Sequence, residues 1–113
     1  MRFLLRSKIH KATGTGADLA YVGSITIDEE LMEKVGLWAG EKVQVVSNTT
    51  GVRLETYVLV GERNSGTIQI NGAAAHLIKS GEEIIIMGYE LTDLPVPAKS
   101  ILVDEQNKFV RYL

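Results

Sequence analysis

The 113-residue sequence predicts a single, mainly β domain, organised as a closed or half-closed barrel with one or two small helices. Short segments rich in β-branched residues follow one another at close spacing, and Gly, Asn and Asp turns separate them. Hydrophobic residues make up 45% and charged residues 23% of the chain, which is the balance of a globular domain with its own core.

Eight segments are predicted to be strands, because each either alternates apolar and polar residues or is a short apolar run between turns. In chain order they are residues 2–9, 19–27, 42–46, 53–60, 67–70, 83–88, 101–103 and 109–112. Turns at residues 48–51 and 104–108 predict hairpins. Residues 12–17, rich in Thr and Gly, are expected to form a loop, and Pro95 and Pro97 mark an irregular segment.

One helix is predicted after the second strand. Asp28 is a suitable N-cap, and two glutamates follow it in the first turn. Ile27, Leu31 and Val35 then share one face of the helix. Gly36 supplies the C-terminal stop.

Composition excludes several classes of protein. The formal net charge is -2 and no basic stripe appears, so nucleic acid is not an expected partner. The chain has no cysteine, which excludes disulfides, thiol nucleophiles and thiolate metal sites. The most apolar run, residues 84–87, is too short to span a bilayer. We expect a soluble cytoplasmic protein without a membrane partner, and no metal site, because His10 and His76 lack ligand spacing.

The Gly23-Ser24 dipeptide lies in a segment that otherwise has the composition of a strand. A serine hydroxyl next to an unhindered glycine carbonyl could attack its own backbone, so we interpret this position as a self-processing site. The alternative is a plain turn, which is the usual setting of an isolated Gly-Ser pair.

Other candidate residues lie on two strands. Lys8 and His10 share a face of the first strand, because side chains alternate along an extended chain. Arg53 and Tyr57 share a face of another strand, and Thr56 is expected on the opposite face. For each group the alternative is a solvated surface.

The block Asn71-Gly-Ala-Ala-Ala-His76 predicts a short helical turn capped by Asn71. Its small residues would let a ligand approach the backbone, and the amide groups at the start of the turn suit a carboxylate. A plain capped turn is the alternative.

Taken together and in this order, these blocks resemble the pyruvoyl-dependent aspartate decarboxylase family, which makes β-alanine for pantothenate biosynthesis. The resemblance extends from the N-terminus to about Gly88. The blocks that carry it are Lys8-Ile-His10, Ala17-Asp-Leu19, Tyr21-Val-Gly-Ser24, Ile27-Asp28, Gly51-Val-Arg53, Thr56-Tyr57 and Asn71-Gly-Ala-Ala-Ala-His76.

The resemblance implies a six-stranded double-psi β-barrel with small helices, assembled as a homotetramer with sites between subunits. It also implies that the chain is a precursor. The Ser24 hydroxyl would attack the Gly23 carbonyl, and the chain would separate into residues 1–23 (β chain) and 24–113 (α chain). The α chain would begin with a pyruvoyl group derived from Ser24, the only cofactor expected.

The resemblance further implies the roles of the site residues. The substrate L-aspartate would form a Schiff base with the pyruvoyl group at position 24 and lose its α-carboxylate as CO2, and Tyr57 would protonate the resulting carbanion. Thr56 would help processing by bonding to the Gly23 carbonyl. The residues expected to bind substrate are Lys8, Arg53, Thr56, Gly72, Ala73, Ala74, Tyr21 and Asn71.

Two positions depart from the family pattern. Val46 stands where an aromatic residue is usual, and Ser47 stands where asparagine is common. Both are expected near a substrate carboxylate, so a second hypothesis is a pyruvoyl decarboxylase with another substrate, such as glutamate. A third hypothesis is an unprocessed barrel that acts as a binding module.

Overall fold

The computed structural model describes residues 1–20 and 23–113. These residues form nine strands, one α-helix and one short 3-10 helix. The elements are β1 (Arg2–Thr13), β2 (Gly16–Asp18), β3 (Ser24–Asp28), α1 (Glu29–Val35), β4 (Lys42–Ser47), β5 (Arg53–Gly61), β6 (Ile68–Asn71), the 3-10 helix (Gly72–His76), β7 (Glu83–Thr92), β8 (Lys99–Val103) and β9 (Phe109–Tyr112).

The strands form one sheet in the order β2-β6-β3-β5-β4-β7-β1-β8-β9. The predicted mainly β class is therefore confirmed, with nine strands instead of six. In the described part of the chain β2 and β9 are the two edges, and the sheet does not close through them. The pairs β1/β8, β2/β6 and β3/β5 are parallel, and the other five pairs are antiparallel.

The core lies against one face of the sheet, which we call the inner face. Alternate residues of the strands point into it, as the period of two along a strand requires. Its fully buried members are mostly isoleucine and valine: Ile9, Ile25, Ile27, Val43, Val45, Val58, Ile68, Ile70, Ile84, Ile86 and Ile101. The opposite, outer face carries the other alternate residues, such as Lys42, Gln44 and Val46 of β4.

The predicted helix is confirmed as α1. The Asp28 side chain accepts a hydrogen bond from the Glu30 amide, and Gly36 ends the helix with a φ of 77°, in the left-handed region that suits glycine. Leu31 and Val35 are buried against the core. Local capping chemistry therefore fixes both ends of this element.

Both predicted hairpins are confirmed, since β4 pairs with β5 and β8 pairs with β9 in antiparallel register. The segment around Pro95 and Pro97 contains no strand or helix, as expected. The predicted loop at residues 12–17 is wrong at both ends. Its start continues β1 through Thr13, and residues Gly16–Asp18 form β2 by pairing in parallel with β6.

Of the strand predicted over residues 19–27, residues 24–27 lie in β3, and residues 21–22 lie outside the described residues. Leu19 lies in a turn, where the Asp18 carboxylate accepts a hydrogen bond from the Ala20 amide at 3.0 Å. Gly23 lies in a bend. The aspartate side chain competes here with strand formation by bonding to a nearby amide.

Candidate active site

Five of the predicted site residues lie on the outer face of the sheet. Each is next in sequence to a core residue of the inner face, so strand alternation turns it outward. They come from four different strands: Lys8 on β1, Arg53 and Tyr57 on β5, Ser24 on β3 and Asn71 on β6. The fold therefore collects residues that are far apart in sequence onto one surface.

Ser24, the first residue of β3, is fully buried and lies directly opposite Asn71 in the antiparallel pair β3/β6. The Asn71 amide nitrogen Nδ2 donates to Ser24 Oγ at 2.9 Å and to Thr26 Oγ1 at 3.0 Å. Gln69 Nε2 in turn donates to Asn71 Oδ1 at 3.0 Å. The hydroxyl expected to react is thus held by a chain of side-chain hydrogen bonds.

The predicted capping role of Asn71 is wrong, although a 3-10 helix does follow it. The Asn71 side chain makes no cap hydrogen bond, because its amide is directed across the sheet to Ser24 and Thr26. Gly72 continues the chain with a φ of 68°, a conformation that favours glycine. Ala73 and Ala74 follow in the 3-10 helix.

Tyr57 lies on the strand next to Ser24. In the parallel pair β3/β5, Ile25 is level with Val58, so the residues before them, Ser24 and Tyr57, are also level and share the outer face. Tyr57 is 37% exposed, whereas Ser24 is buried.

Thr56 lies on the other side of β5, as predicted. It is opposite Val43, a core residue of the inner face. Gly23, the residue before β3, lies in a bend. Among the described residues, a Cβ added at Gly23 would meet no atom within 4 Å, so one side of this peptide is open.

Lys8 and Arg53 are well separated within the protomer. The cross-strand pairs lead from Lys8 through Met87 and Gln44 to Glu55, which is two residues from Arg53. Three strand spacings of about 4.8 Å put the backbones of the two residues about 14 Å apart along the sheet. Within one copy, a single small amino acid would contact both only if the two long side chains extended toward each other.

His10 lies beside Lys8 on the outer face of β1. Burial, followed by the charges of Lys8 and Lys11, holds its pKa below the usual value, and Glu83 offsets this in part. Within the described residues its buried Nδ1 has no hydrogen-bond partner. A neutral imidazole is the form that suits this position.

Val46 and Ser47, the two departures from the family pattern, point to opposite faces of β4. Val46 is directly opposite Arg53 and lies on the outer face. Ser47 is buried, and its Oγ donates to a carboxylate oxygen of Glu82 at 2.6 Å. Of the two, Val46 is the side chain beside Arg53.

Glu82 is a buried acid that lies outside this surface. Its other carboxylate oxygen accepts a hydrogen bond from the Lys79 amide at 2.6 Å. The bond from Ser47, followed by the bond from Lys79, lowers the pKa of this carboxyl below its ordinary value.

The predicted site residue Tyr21 lies outside the described residues. Over residues 1–20 and 23–113, no group of three or more His, Asp or Glu side chains has the arrangement of a metal site. None of the helices there is long and apolar enough to cross a bilayer.

Sequence reasoning missed Thr26 and Gln69. Both lie two residues from a predicted site residue, so the period of two already put them on the same strand faces as Ser24 and Asn71. The missing information was the antiparallel register of β3 and β6, which makes Thr26 and Gln69 opposite partners. That pairing is set by tertiary contacts and has no local signal.

Comparison with known proteins gives consistent matches over almost the whole chain. A family model described as aspartate decarboxylase matches residues 1–110. The aspartate 1-decarboxylase of Caldicellulosiruptor saccharolyticus is 55% identical over 115 residues, covering 96% of this chain and 88% of the relative. That of Acetivibrio thermocellus is 53% identical, covering 95% and 88%. That of Bacillus velezensis is 47% identical, covering 99% and 91%.

Proposed function

Since the chain belongs to the aspartate decarboxylase family, we propose that it cleaves itself between Gly23 and Ser24 and then decarboxylates L-aspartate to β-alanine and CO2. This reaction supplies β-alanine for pantothenate biosynthesis. The observation that carries the proposal is the placement of Ser24 Oγ, buried and hydrogen-bonded to Asn71, one peptide bond after Gly23.

Processing is proposed to begin with an N→O acyl shift. Ser24 Oγ adds to the Gly23 carbonyl carbon, its proton passes to the Ser24 nitrogen, and the C–N bond breaks to leave an ester. Loss of the Ser24 α-proton then expels the Gly23 carboxylate and leaves dehydroalanine. Addition of one water releases ammonia and leaves a pyruvoyl group at position 24. The release of ammonia draws the unfavourable first step forward.

The residues around Ser24 fit this chemistry. An N–H donor directed at Oγ stabilises the oxygen as negative charge develops on it. The burial of Ser24 limits competition from bulk water during the acyl shift. Thr56, the residue before Tyr57 on β5, is the residue proposed to polarise the Gly23 carbonyl.

A ketone at position 24 would supply the electron sink that the standard side chains lack. Tyr57 is the proposed proton donor, because it lies level with Ser24 on the same face and a phenol is neutral at pH 7. Its partial exposure leaves the hydroxyl open to a bound substrate.

Arg53 and Lys8 are the proposed carboxylate-binding cations. An arginine can grip a carboxylate with two parallel hydrogen bonds. Because Lys8 and Arg53 are about three strand spacings, or about 14 Å, apart in one copy, we propose that one copy supplies Arg53 and a second supplies Lys8. A homotetramer with sites between subunits, as the resemblance implies, satisfies this requirement.

We propose that six of the strands form the double-psi β-barrel that the family resemblance implies, and that the remaining strands are additions to this barrel. The supporting observation is the parallel pairing of β1 with β8 and of β3 with β5 within an otherwise mostly antiparallel sheet.

Glutamate is the second candidate substrate. Val46 lies opposite Arg53, and its small aliphatic side chain leaves more room beside that cation than an aromatic side chain would. The test is product analysis after incubation with L-aspartate and with L-glutamate in parallel. β-Alanine from aspartate supports the first proposal, and 4-aminobutanoate in place of β-alanine supports the second. A chain that is cleaved but releases CO2 from neither refutes both.

A further inference from the structure

We propose that Gln69 is a positioning residue for self-processing, which fixes the Asn71 amide so that its N–H, and not its carbonyl, faces Ser24 Oγ. The inference rests on the proposed cleavage at Gly23-Ser24 and assigns a role to a residue that the family resemblance does not single out. It concerns the precursor, in which residue 24 is still a serine.

The geometry places Gln69 two hydrogen bonds from the reacting oxygen. Gln69 Nε2 donates to Asn71 Oδ1 at 3.0 Å, and Asn71 Nδ2 donates to Ser24 Oγ at 2.9 Å. Two cross-strand pairs, Ser24 with Asn71 and Thr26 with Gln69, lie on either side of the Ile25/Ile70 pair and place all four side chains on the outer face.

The other side of the Gln69 amide faces Gly16 of β2. Gly16 is the partner of Gln69 in the parallel pair β2/β6, and a Cβ added at Gly16 would lie 3.4 Å from both Cγ and Oε1 of Gln69. The carbonyl end of the Gln69 amide therefore lies toward Gly16, and its NH2 end lies toward Asn71.

The direction of the Asn71 amide decides whether a hydrogen-bond donor or an acceptor faces Ser24 Oγ. A carboxamide turned by half a rotation presents its oxygen where its nitrogen was, with little change in shape. Asn71 Nδ2 stabilises negative charge on Ser24 Oγ, whereas Oδ1 in the same place would repel it. The two hydroxyls that Asn71 contacts can accept or donate, so they do not select the direction. Gln69 does, because the end of its amide that faces Asn71 is its NH2, which can only donate.

Two variants separate positioning from simple packing. Gln69→Glu keeps the size of the side chain but replaces the donor with an acceptor, so it would hold Asn71 in the reversed direction. Gln69→Met keeps most of the volume and leaves Asn71 free to turn either way. The matched control is Gln106→Glu, which makes the same change at an exposed position of the β8/β9 turn.

The measurement is the rate of appearance of the 24–113 fragment by denaturing mass spectrometry, starting from freshly prepared precursor. We expect this rate to be highest for wild type, lower for Gln69→Met and lowest for Gln69→Glu. The Gln69→Glu variant should be slowed at least about tenfold, and Gln106→Glu should be cleaved at the wild-type rate. Turnover per cleaved chain should fall much less than the cleavage rate, because cleavage removes the Ser24 hydroxyl.

If Gln69 only packs against its neighbours, Gln69→Glu should be cleaved faster than Gln69→Met, because glutamate has the shape of glutamine and can still bond to Asn71 Nδ2. Cleavage of Gln69→Glu at the wild-type rate, or faster than Gln69→Met, would overturn the inference. If the wild-type precursor itself stays intact, the proposed function fails instead, so the two failures are distinguishable.

Discussion

Asn71 Nδ2 lies 2.9 Å from Ser24 Oγ, across the antiparallel pair that joins β6 to β3. The asparagine precedes the Gly72–His76 turn, and the serine follows Gly23, so this contact ties the proposed cleavage point to the turn that is expected to line the substrate site. It also explains why Asn71 does not cap the turn that it precedes.

The Tyr57→Phe variant tests the proposed proton donor. Removing one hydroxyl from a partly exposed side chain should leave the fold and the Gly23-Ser24 cleavage intact, because Tyr57 is not bonded to Ser24 in the described contacts. Turnover of aspartate should fall by about 10² to 10⁴, the usual contribution of a general acid.

The matched control is Tyr112→Phe, a change to another partly exposed tyrosine, on β9, whose hydroxyl binds the Lys34 carbonyl. It should keep wild-type turnover. Normal decarboxylation by Tyr57→Phe would show that the proton comes from another group.

Mixing two inactive variants tests whether the site is shared between copies. Lys8→Met and Arg53→Gln should each abolish binding of one substrate carboxylate when expressed alone. Co-expressed, a chain that keeps Lys8 can meet a chain that keeps Arg53, and random pairing predicts recovery of about a quarter of the sites.

Recovery is measured as β-alanine formed per cleaved chain, with each variant co-expressed with a tagged copy of itself as the control. Two cations acting within one copy would give no recovery in the mixture. That outcome would refute the shared site, although the separation of Lys8 and Arg53 along the sheet argues against it.

Asp28 is expected to be the most important single carboxylate for stability. It is 1% exposed, and besides capping α1 it accepts hydrogen bonds from the amides of Asn64 and Gly66 at 2.9 Å. Asp28→Ala leaves these donors without their acceptor, so the free energy of unfolding should fall by about 3 kcal/mol. Urea denaturation measures the change.

Asp93→Ala is the control for that experiment. Its carboxylate is exposed and pairs only with the N-terminal amine among the described contacts. Its loss should change the free energy of unfolding by less than about 0.5 kcal/mol. Equal effects of the two substitutions would contradict the role given to Asp28.

Glu82 should make stability depend on pH on the acid side. Its pKa is lowered from 4.5, first by the Ser47 hydroxyl and then by the Lys79 amide. A carboxyl whose pKa is lower in the folded state stabilises the protein above its unfolded pKa, and that stabilisation is lost as the pH falls through the folded value. Wild type should therefore lose stability below about pH 4.5.

Glu82→Gln has no proton to gain, so its free energy of unfolding should fall less steeply over the same pH range. Glu105→Gln, at an exposed position of the β8/β9 turn, should keep the wild-type slope. Identical slopes for wild type and Glu82→Gln would refute the linkage.

Features set by local chemistry could be predicted from the sequence. The Asp28 cap and the Gly36 stop define α1, and the turn at residues 48–51 defines the β4/β5 hairpin, because each depends on residues within a few positions. The strand alternation of Lys8, Arg53 and Tyr57 was equally local.

Features set by long-range pairing could not be predicted. Strand β2 exists because Gly16–Asp18 pair with β6, and nothing in its own composition indicates a strand. The partners of Asn71 follow from the β3/β6 register, which overrides its local preference for a cap. The separation of Lys8 from Arg53 depends on the order of four strands.

The most direct test of the proposed function is a denaturing mass spectrum of purified protein after prolonged incubation, for wild type and for Ser24→Ala. We expect wild type to separate into residues 1–23 and a 24–113 fragment that begins with a pyruvoyl group and lacks a free amine. Ser24→Ala should remain one intact, inactive chain. An intact wild-type chain that forms β-alanine from aspartate at full rate would contradict the account.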